Sequence, residues 1–219
     1  MKSVRTFLKD YPLKRFRRGD VILHQDEEPP AAYAVESGVV KAYNLTTKGE
    51  EKPIQFHVKD DIFPLGWVFG KIYQSQYYYE AANDCSLYCV PRSEMAAYLK
   101  HCPEATLEML EHSLETQLHD HLRINALEQS RAFDKIVAII HYFALRFGQD
   151  LEKDVVEIPL PLRQQDVANF TGLTRETVSA EFKRLARRSV ISYHNRSYIV
   201  LTNRLNELID DTYEYRFVR

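Results

Sequence analysis

The stretch QQDVANFTGLTRETVSAEFKRL, Gln164 to Leu185, decides the fold. Gly172 marks a tight turn between two short helices, because glycine accepts the left-handed backbone that ends a helix. Thr174 has the hydroxyl of an N-cap, and Glu176 suits the positive end of the helix dipole. Val178, Phe182 and Leu185 fall at i, i+4 and i+7, which predicts the face packed on the domain. Arg175, Ser179 and Lys183 step by four on another face, flanked by Glu176 and Ala180. Beyond them, Val190 to Leu201 reads as a hairpin with Asn195-Arg196-Ser197 at its tip. Two helices, a tight turn and a hairpin make a helix-turn-helix with a wing, a shape that lays one helix in the major groove of DNA.

Charge supports that reading. The formal net charge of the 219 residues is −2, yet residues 162–204 hold eight Lys or Arg and three Asp or Glu, a local net of +5. Positive charge gathers where a polyanion would sit. An arginine near the helix start can grip guanine O6 and N7, and a glutamate can accept from cytosine N4, each discriminating by ~1–3 kcal/mol. Arg175, Glu176 and Ser179 are therefore the candidate base readers. Thr174, Lys183, Arg184, Arg187, Arg188 and the wing-tip Arg196 are candidates for phosphate contact.

Outward from the motif, Ala132 to Phe147 carries Ile136, Ile139, Ile140 and Phe143 at helical spacing, with Gly148 as a stop. Gln149 to Asp154 is polar and reads as an exposed loop, and Val155 to Leu160 as a strand. Leu107, Leu110, Leu114, Leu118 and Leu122 recur at intervals of three and four, predicting an amphipathic helix of about 25 residues. That stripe could pack on the chain's own strands, or form the seam of a parallel two-stranded coiled coil in which His121 helps set the register. Residues 12–91 read as short strands, Val21 to Leu23, Tyr33 to Val35, Val39 to Tyr43, Ile54 to Val58 and Leu87 to Val90, separated by Gly, Pro and Asp turns. No helical period interrupts them, which predicts an antiparallel sandwich or roll. The expected fold class is α+β: an antiparallel, jelly-roll-like β-roll over residues 1–103, a long dimerisation helix over 104–130, and a winged helix-turn-helix over 131–219.

The bulk composition excludes several classes. An apolar fraction of 45% supports packed cores. No apolar run is long enough to span a bilayer, and the N-terminus lacks the apolar core of a secretory signal. Three cysteines argue against a disulfide framework and for a reducing cytoplasm. Cys85 and Cys89 lie about 13 Å apart along a strand, too far to bond, and read as small core residues. His112 and His119 share a helix face without a carboxylate or thiol partner in the sequence, so a solvated face is expected and no metal site. Cupin-type chemistry needs an H-x-H pair, and only His57 stands in Phe56-His57-Val58-Lys59. No Ser/His/Asp set or Gly-rich phosphate loop appears, so an enzyme is not expected.

This arrangement resembles the Crp/Fnr family of bacterial transcription regulators over nearly the whole chain. The TRETVS segment is its specific part, and VILHQDEEPPAAYAVESGVVKAY, Val21 to Tyr43, is similar to the opening strands of the family's cyclic-nucleotide-binding-type β-roll. The resemblance implies a ligand-sensing roll, a dimerising helix and a winged DNA-binding domain. It implies base-edge reading at Arg175 and Glu176 as in catabolite-activator-like members, and at Ser179 as in the fumarate-nitrate branch. It implies phosphate contacts at Arg163 and Lys183. Ala180 departs from the pattern, standing where both branches carry a base-reading arginine. The exposed Gln149 to Asp154 segment lies where activating members touch RNA polymerase.

The expected sensor also departs. Cyclic-nucleotide members hold the phosphate with a Gly-Glu turn and an Arg-Ser pair. Here the turn reads Phe63-Pro64-Leu65-Gly66-Trp67 and the pair's region Ser75-Gln76-Tyr77-Tyr78-Tyr79, and no arginine occurs between Arg18 and Arg92. Cyclic AMP is not expected to bind in the family's manner, since a buried phosphate needs a guanidinium or comparable donor. Phe63, Trp67, Tyr77 and Tyr79 either fill the core or line a pocket for an apolar or planar effector such as haem, for which His57 and Cys85 are the nearby axial candidates. No resident cofactor is expected. The expected partners are double-stranded DNA with a palindromic site, a second copy of the chain, and RNA polymerase; no membrane is expected.

Overall fold

A computed structural model of the chain describes residues 1–194 and 197–209. It divides into two compact units, Met1–Glu115 and Thr116–Arg219.

The first unit opens with helix α1 (Lys2–Leu8). Eight strands follow: β1 (Leu13–Phe16), β2 (Val21–Leu23), β3 (Ala32–Ser37), β4 (Val40–Leu45), β5 (Glu51–His57), β6 (Ile62–Phe63), then, after the one-turn helix α2 (Leu65–Val68), β7 (Tyr78–Ala81) and β8 (Cys85–Val90). They form two four-stranded sheets, ordered β1-β8-β3-β6 and β2-β7-β4-β5, with antiparallel pairing throughout. Apart from the β4–β5 hairpin, successive strands fall in opposite sheets, which is the jelly-roll plan the turn spacing implied. Burial alternates along β7 and the first part of β8, whereas β3 and β4 are buried at four consecutive positions. Cys85, Leu87 and Cys89 of β8 pack with Tyr33, Val35, Phe63 and Tyr79 in one buried cluster. Cys85 and Cys89 are core residues, as expected, and burial pushes the Cys85 thiol up to about 11.

Four of these elements went unread in the sequence besides the short β1 and β6. α1 and α3 (Arg92–His101) cover one end of the roll, with Val4, Leu8, Met95 and Leu99 buried against Ala32, Ala34 and Trp67. α2 is a single turn, and β7 lies within the tyrosine run.

Helix α4 spans Pro103–Glu128, 26 residues. The boundary between the two units falls inside it. Ala105 and Met109 are buried with the core of the first unit, while Leu122 and Ala126 are buried in the second. His112 corrects an expectation. Its Nε2 lies 2.6 Å from Oδ1 of the buried Asp61, so it is tied to the roll rather than solvated.

The second unit continues with α5 (Ala132–Phe147), β9 (Gln149–Glu152), β10 (Val155–Ile158), α6 (Gln164–Thr171), α7 (Arg175–Arg187), β11 (Ile191–His194), β12 (Ser197–Leu201) and α8 (Thr202–Asn206). Tyr142 and Phe143 of α5 meet Phe170 of α6 with ring centroids 6.0 and 5.3 Å apart, and Phe147 lies edge-on to Tyr142 at 5.9 Å. Gly148 ends α5 for lack of space. A Cβ there would lie 2.1 Å from the Ala144 carbonyl oxygen and 2.4 Å from Val156 Cγ1, though the backbone itself is extended. Of the Gln149 to Asp154 segment, Gln149–Glu152 is a strand and not a loop, and Lys153-Asp154 is the turn that follows it. β9 is the fully exposed edge of the sheet β11-β12-β10-β9, and its turn passes through Asp154 at φ 61°.

Candidate nucleic-acid interface

α6 and α7 are joined at Gly172, whose φ of 71° and ψ of 15° put it in the left-handed region. A Cβ there would meet nothing within 4 Å, so the glycine is needed for its backbone angle and not for room. At the start of α6 the Asp166 carboxylate accepts the Arg163 backbone N–H at 2.7 Å. At the start of α7 the Thr174 hydroxyl accepts from the Thr177 N–H at 3.2 Å, which fixes the entry of the chain into the helix.

Inside, Val178, Phe182 and Leu185 are buried as their spacing requires. Phe182 meets Tyr198 of β12 edge-on at 5.3 Å, and the Val190 N–H donates to the Leu185 carbonyl at 3.0 Å, so the wing is tied to α7 by packing and by the backbone. Burial raises the Tyr198 hydroxyl to about 12, with neighbouring Tyr193 adding to the effect.

Outside, Arg175, Glu176, Ser179, Ala180, Lys183 and Arg187 line one concavity together with Gln164. The three candidate base readers are thus on one surface, and Ala180 is the sole apolar member of that lining. Thr174 and Arg163 are exposed at the helix starts. Two basic side chains at the far end are already engaged. The Arg184 guanidinium lies 3.8 Å from the centre of the Phe133 ring and 3.6 Å from the Glu181 carboxylate, and Arg188 lies 5.3 Å over the same ring. Arg196 at the wing tip lies outside the described residues. No sequence pattern discloses the Phe133 platform, because it pairs side chains some fifty residues apart.

Along α4, Leu107, Leu110, Leu114 and Leu118 are between 40% and 55% exposed, and His121 is exposed beside them. Leu122 is corrected. At 7% exposed it faces its own chain, and the outward stripe continues through Ile124.

The expected effector pocket is also corrected. Phe63 and Tyr79 stack at 4.6 Å in the packed core with Tyr77 beside them, and His57 is wedged against both rings at 4.9 and 5.6 Å. Trp67 belongs to the other cluster, so the four rings do not surround one space. Ser75, in the region where the family's phosphate pair would stand, is buried with its hydroxyl donating to the Tyr77 carbonyl at 2.6 Å. Among the described residues no group of three His, Cys, Asp or Glu could hold a metal ion, and no helix is long and apolar enough to cross a membrane.

Comparison with known proteins agrees with this geometry. Residues 13–102 match the family model of the cyclic nucleotide-binding domain, and residues 137–208 match the Crp-like helix-turn-helix domain. The nitrogen fixation regulation protein FixK of Azorhizobium caulinodans is 30% identical over 191 residues, covering 86% of this chain and 75% of that protein. The fumarate and nitrate reduction regulatory protein of Vibrio cholerae is 24% identical over 191 residues, 87% and 74% of the two chains. Among solved structures, FixK2 from Bradyrhizobium japonicum superposes with a TM-score of 0.75 at 22% identity, over 91% of this chain and 98% of that one. The CooA mutant from Carboxydothermus hydrogenoformans gives 0.72 at 19% identity, over 93% and 88%. With its β-roll, its long helix and its winged helix-turn-helix all accounted for, the chain belongs to the Crp/Fnr family of DNA-binding transcription regulators.

Proposed function

We propose that this regulator works as a homodimer on a roughly palindromic duplex site, with α7 of each copy in one of two successive major grooves about 34 Å apart. The observation that carries this is the division of α7. Its apolar face is buried at Val178, Phe182 and Leu185, and a single concave surface of Arg175, Glu176, Ser179 and Lys183 is left to solvent. Arg175, Glu176 and Ser179 read base edges. Lys183, Arg187, Arg163 and Thr174 meet phosphates, supplying affinity without sequence information. Arg184 joins them only by leaving Phe133 and Glu181. The second copy is brought in by the outward leucines of α4, which no other part of the chain covers among the described residues.

Cyclic AMP is not the signal, since the arginine-free span between Arg18 and Arg92 has no guanidinium to hold a buried phosphate. The exposed edge strand β9 is the surface for RNA polymerase, and the protein acts in the cytoplasm where its operator lies.

Selection of bound fragments from a random duplex library tests the reading. It should return an inverted repeat whose half-sites are centred about one helical turn apart. On that site Arg175→Ala should cost ~1–3 kcal/mol and leave random DNA nearly unaffected, whereas Lys183→Ala should weaken both and lower the salt slope by about one. Equal losses on both DNAs for Arg175→Ala, or a selected site without symmetry, refutes the arrangement.

A further inference from the structure

A cavity lies on the outside of the roll, where α2 meets α3. It has a volume of about 1070 Å³ and is bounded by the Pro29-Pro30 loop, α2, the outward side of α3 and Thr106 of α4. Cavities of this order, with apolar walls and a few converging polar groups, are the usual form of a small-molecule site.

Three features of its lining are unexplained by folding. The first is Trp67. Its side chain is 5% exposed, yet its indole N–H has no hydrogen-bond partner among the described residues. A buried donor of that kind normally finds an acceptor, because losing water without replacement is costly. The second is Arg92, whose guanidinium lies over the Trp67 ring at 5.4 Å and has no carboxylate partner among the described residues. An arginine stacked on an aromatic face keeps its in-plane N–H groups for a carboxylate. The third is Phe69, a large ring 49% exposed at the same cavity. Lys100 lines it eight residues further along α3, about 12 Å away along the helix at 1.5 Å per residue. Glu28 is the only acid in the lining.

We infer that this cavity is a binding site for a small aromatic carboxylate, with the ring against Trp67 and Phe69 and the carboxylate on Arg92. The chemistry follows from the lining. The aromatic and proline walls favour a flat apolar body, and the excess of cation over acid favours an anion. The site goes beyond the DNA-binding reading, and it gives the roll a ligand of a class unrelated to a cyclic nucleotide. Thr106, in the first turn of α4, is part of the wall, so an occupant touches the same helix that carries the outward leucines.

Trp67 is the chain's single tryptophan, so intrinsic fluorescence reports on this cavity directly. The full-length protein is titrated with phenylacetate and cinnamate, with their neutral amides, and with inorganic phosphate. Both carboxylates should give a saturable change with half-effect below about 1 mM. The amides should bind at least tenfold more weakly and phosphate not at all. Arg92→Gln should reduce carboxylate affinity about tenfold and leave the amides unchanged. Ala96→Phe, which fills the cavity, should abolish every response while circular dichroism and melting temperature stay near those of the parent. No saturable response to either carboxylate, equal binding of acid and amide, or an unaltered titration in Ala96→Phe overturns the assignment. These readouts do not involve DNA, so they stand or fall separately from the operator experiment.

Discussion

α7 and α4 are both helices with an apolar stripe, and the chain treats the two stripes in opposite ways. In α7 the stripe is closed off by Tyr198 and the ring cluster of its own unit, and the polar side is left free. In α4 the leucines from Leu107 to Leu118 are left outward, and burial is confined to Ala105 and Met109 at one end and Leu122 and Ala126 at the other. Periodicity reports that a helix has an apolar face. It says nothing about whether the covering surface comes from the same chain or another one, because both remove the same area from water.

That contrast can be broken at either helix. Changing Leu110 and Leu114 together to Glu should leave a folded monomer by sedimentation, with affinity for a two-half-site operator at least about 100-fold weaker, since the second half-site no longer binds as part of one molecule. A variant that remains dimeric would mean the outward stripe serves something else. Phe182→Ala attacks the inward stripe and should cost ~3–5 kcal/mol of stability in the second unit by urea unfolding, leaving oligomeric state unchanged. If it dissociates the dimer without unfolding that unit, the two stripes are less separate than their burial indicates. Thr174→Ala, which removes the cap of α7, should cost about 1 kcal/mol of stability by urea unfolding in the absence of DNA.

The smallest expected effect concerns pH. Burial holds the half-buried His141 below its ordinary value. The unfolded chain therefore takes a proton at higher pH than the folded one, and stability falls as pH drops below about 6.5. His141→Leu should flatten that acid limb of the melting-temperature curve; an unchanged limb would assign it to other groups.

The same contrast explains what the sequence disclosed. α5 could be bounded to the residue, and the cap, stripe and turn of α7 could be assigned, because each depends on neighbours within about eight positions. β9 could not be recognised, since an edge strand exposed on both faces buries nothing and so shows no alternation of apolar and polar residues. α1, α2 and α3 are short and take their order from the roll they cover. Leu122 fits the leucine spacing as well as Leu118 does, and only the packing of the second unit turns it inward. The roles of His112 and Arg184 are hidden from a local pattern for one reason: their partners, Asp61 and Phe133, lie 51 positions away in each case.

One contact joins the two ends of the first unit. The Glu108 carboxylate accepts the Ser3 backbone N–H at 3.0 Å and the Val4 N–H at 3.3 Å, closing the start of α1 from 105 residues away. Burial opposes the charge on Glu108, but these amides outweigh it and hold the carboxyl below its ordinary range. During translation the amino terminus emerges first and its partner more than a hundred codons later. At ribosomal speeds of about 5–20 residues per second, the leading helix waits roughly 5–20 s for the group that finishes it.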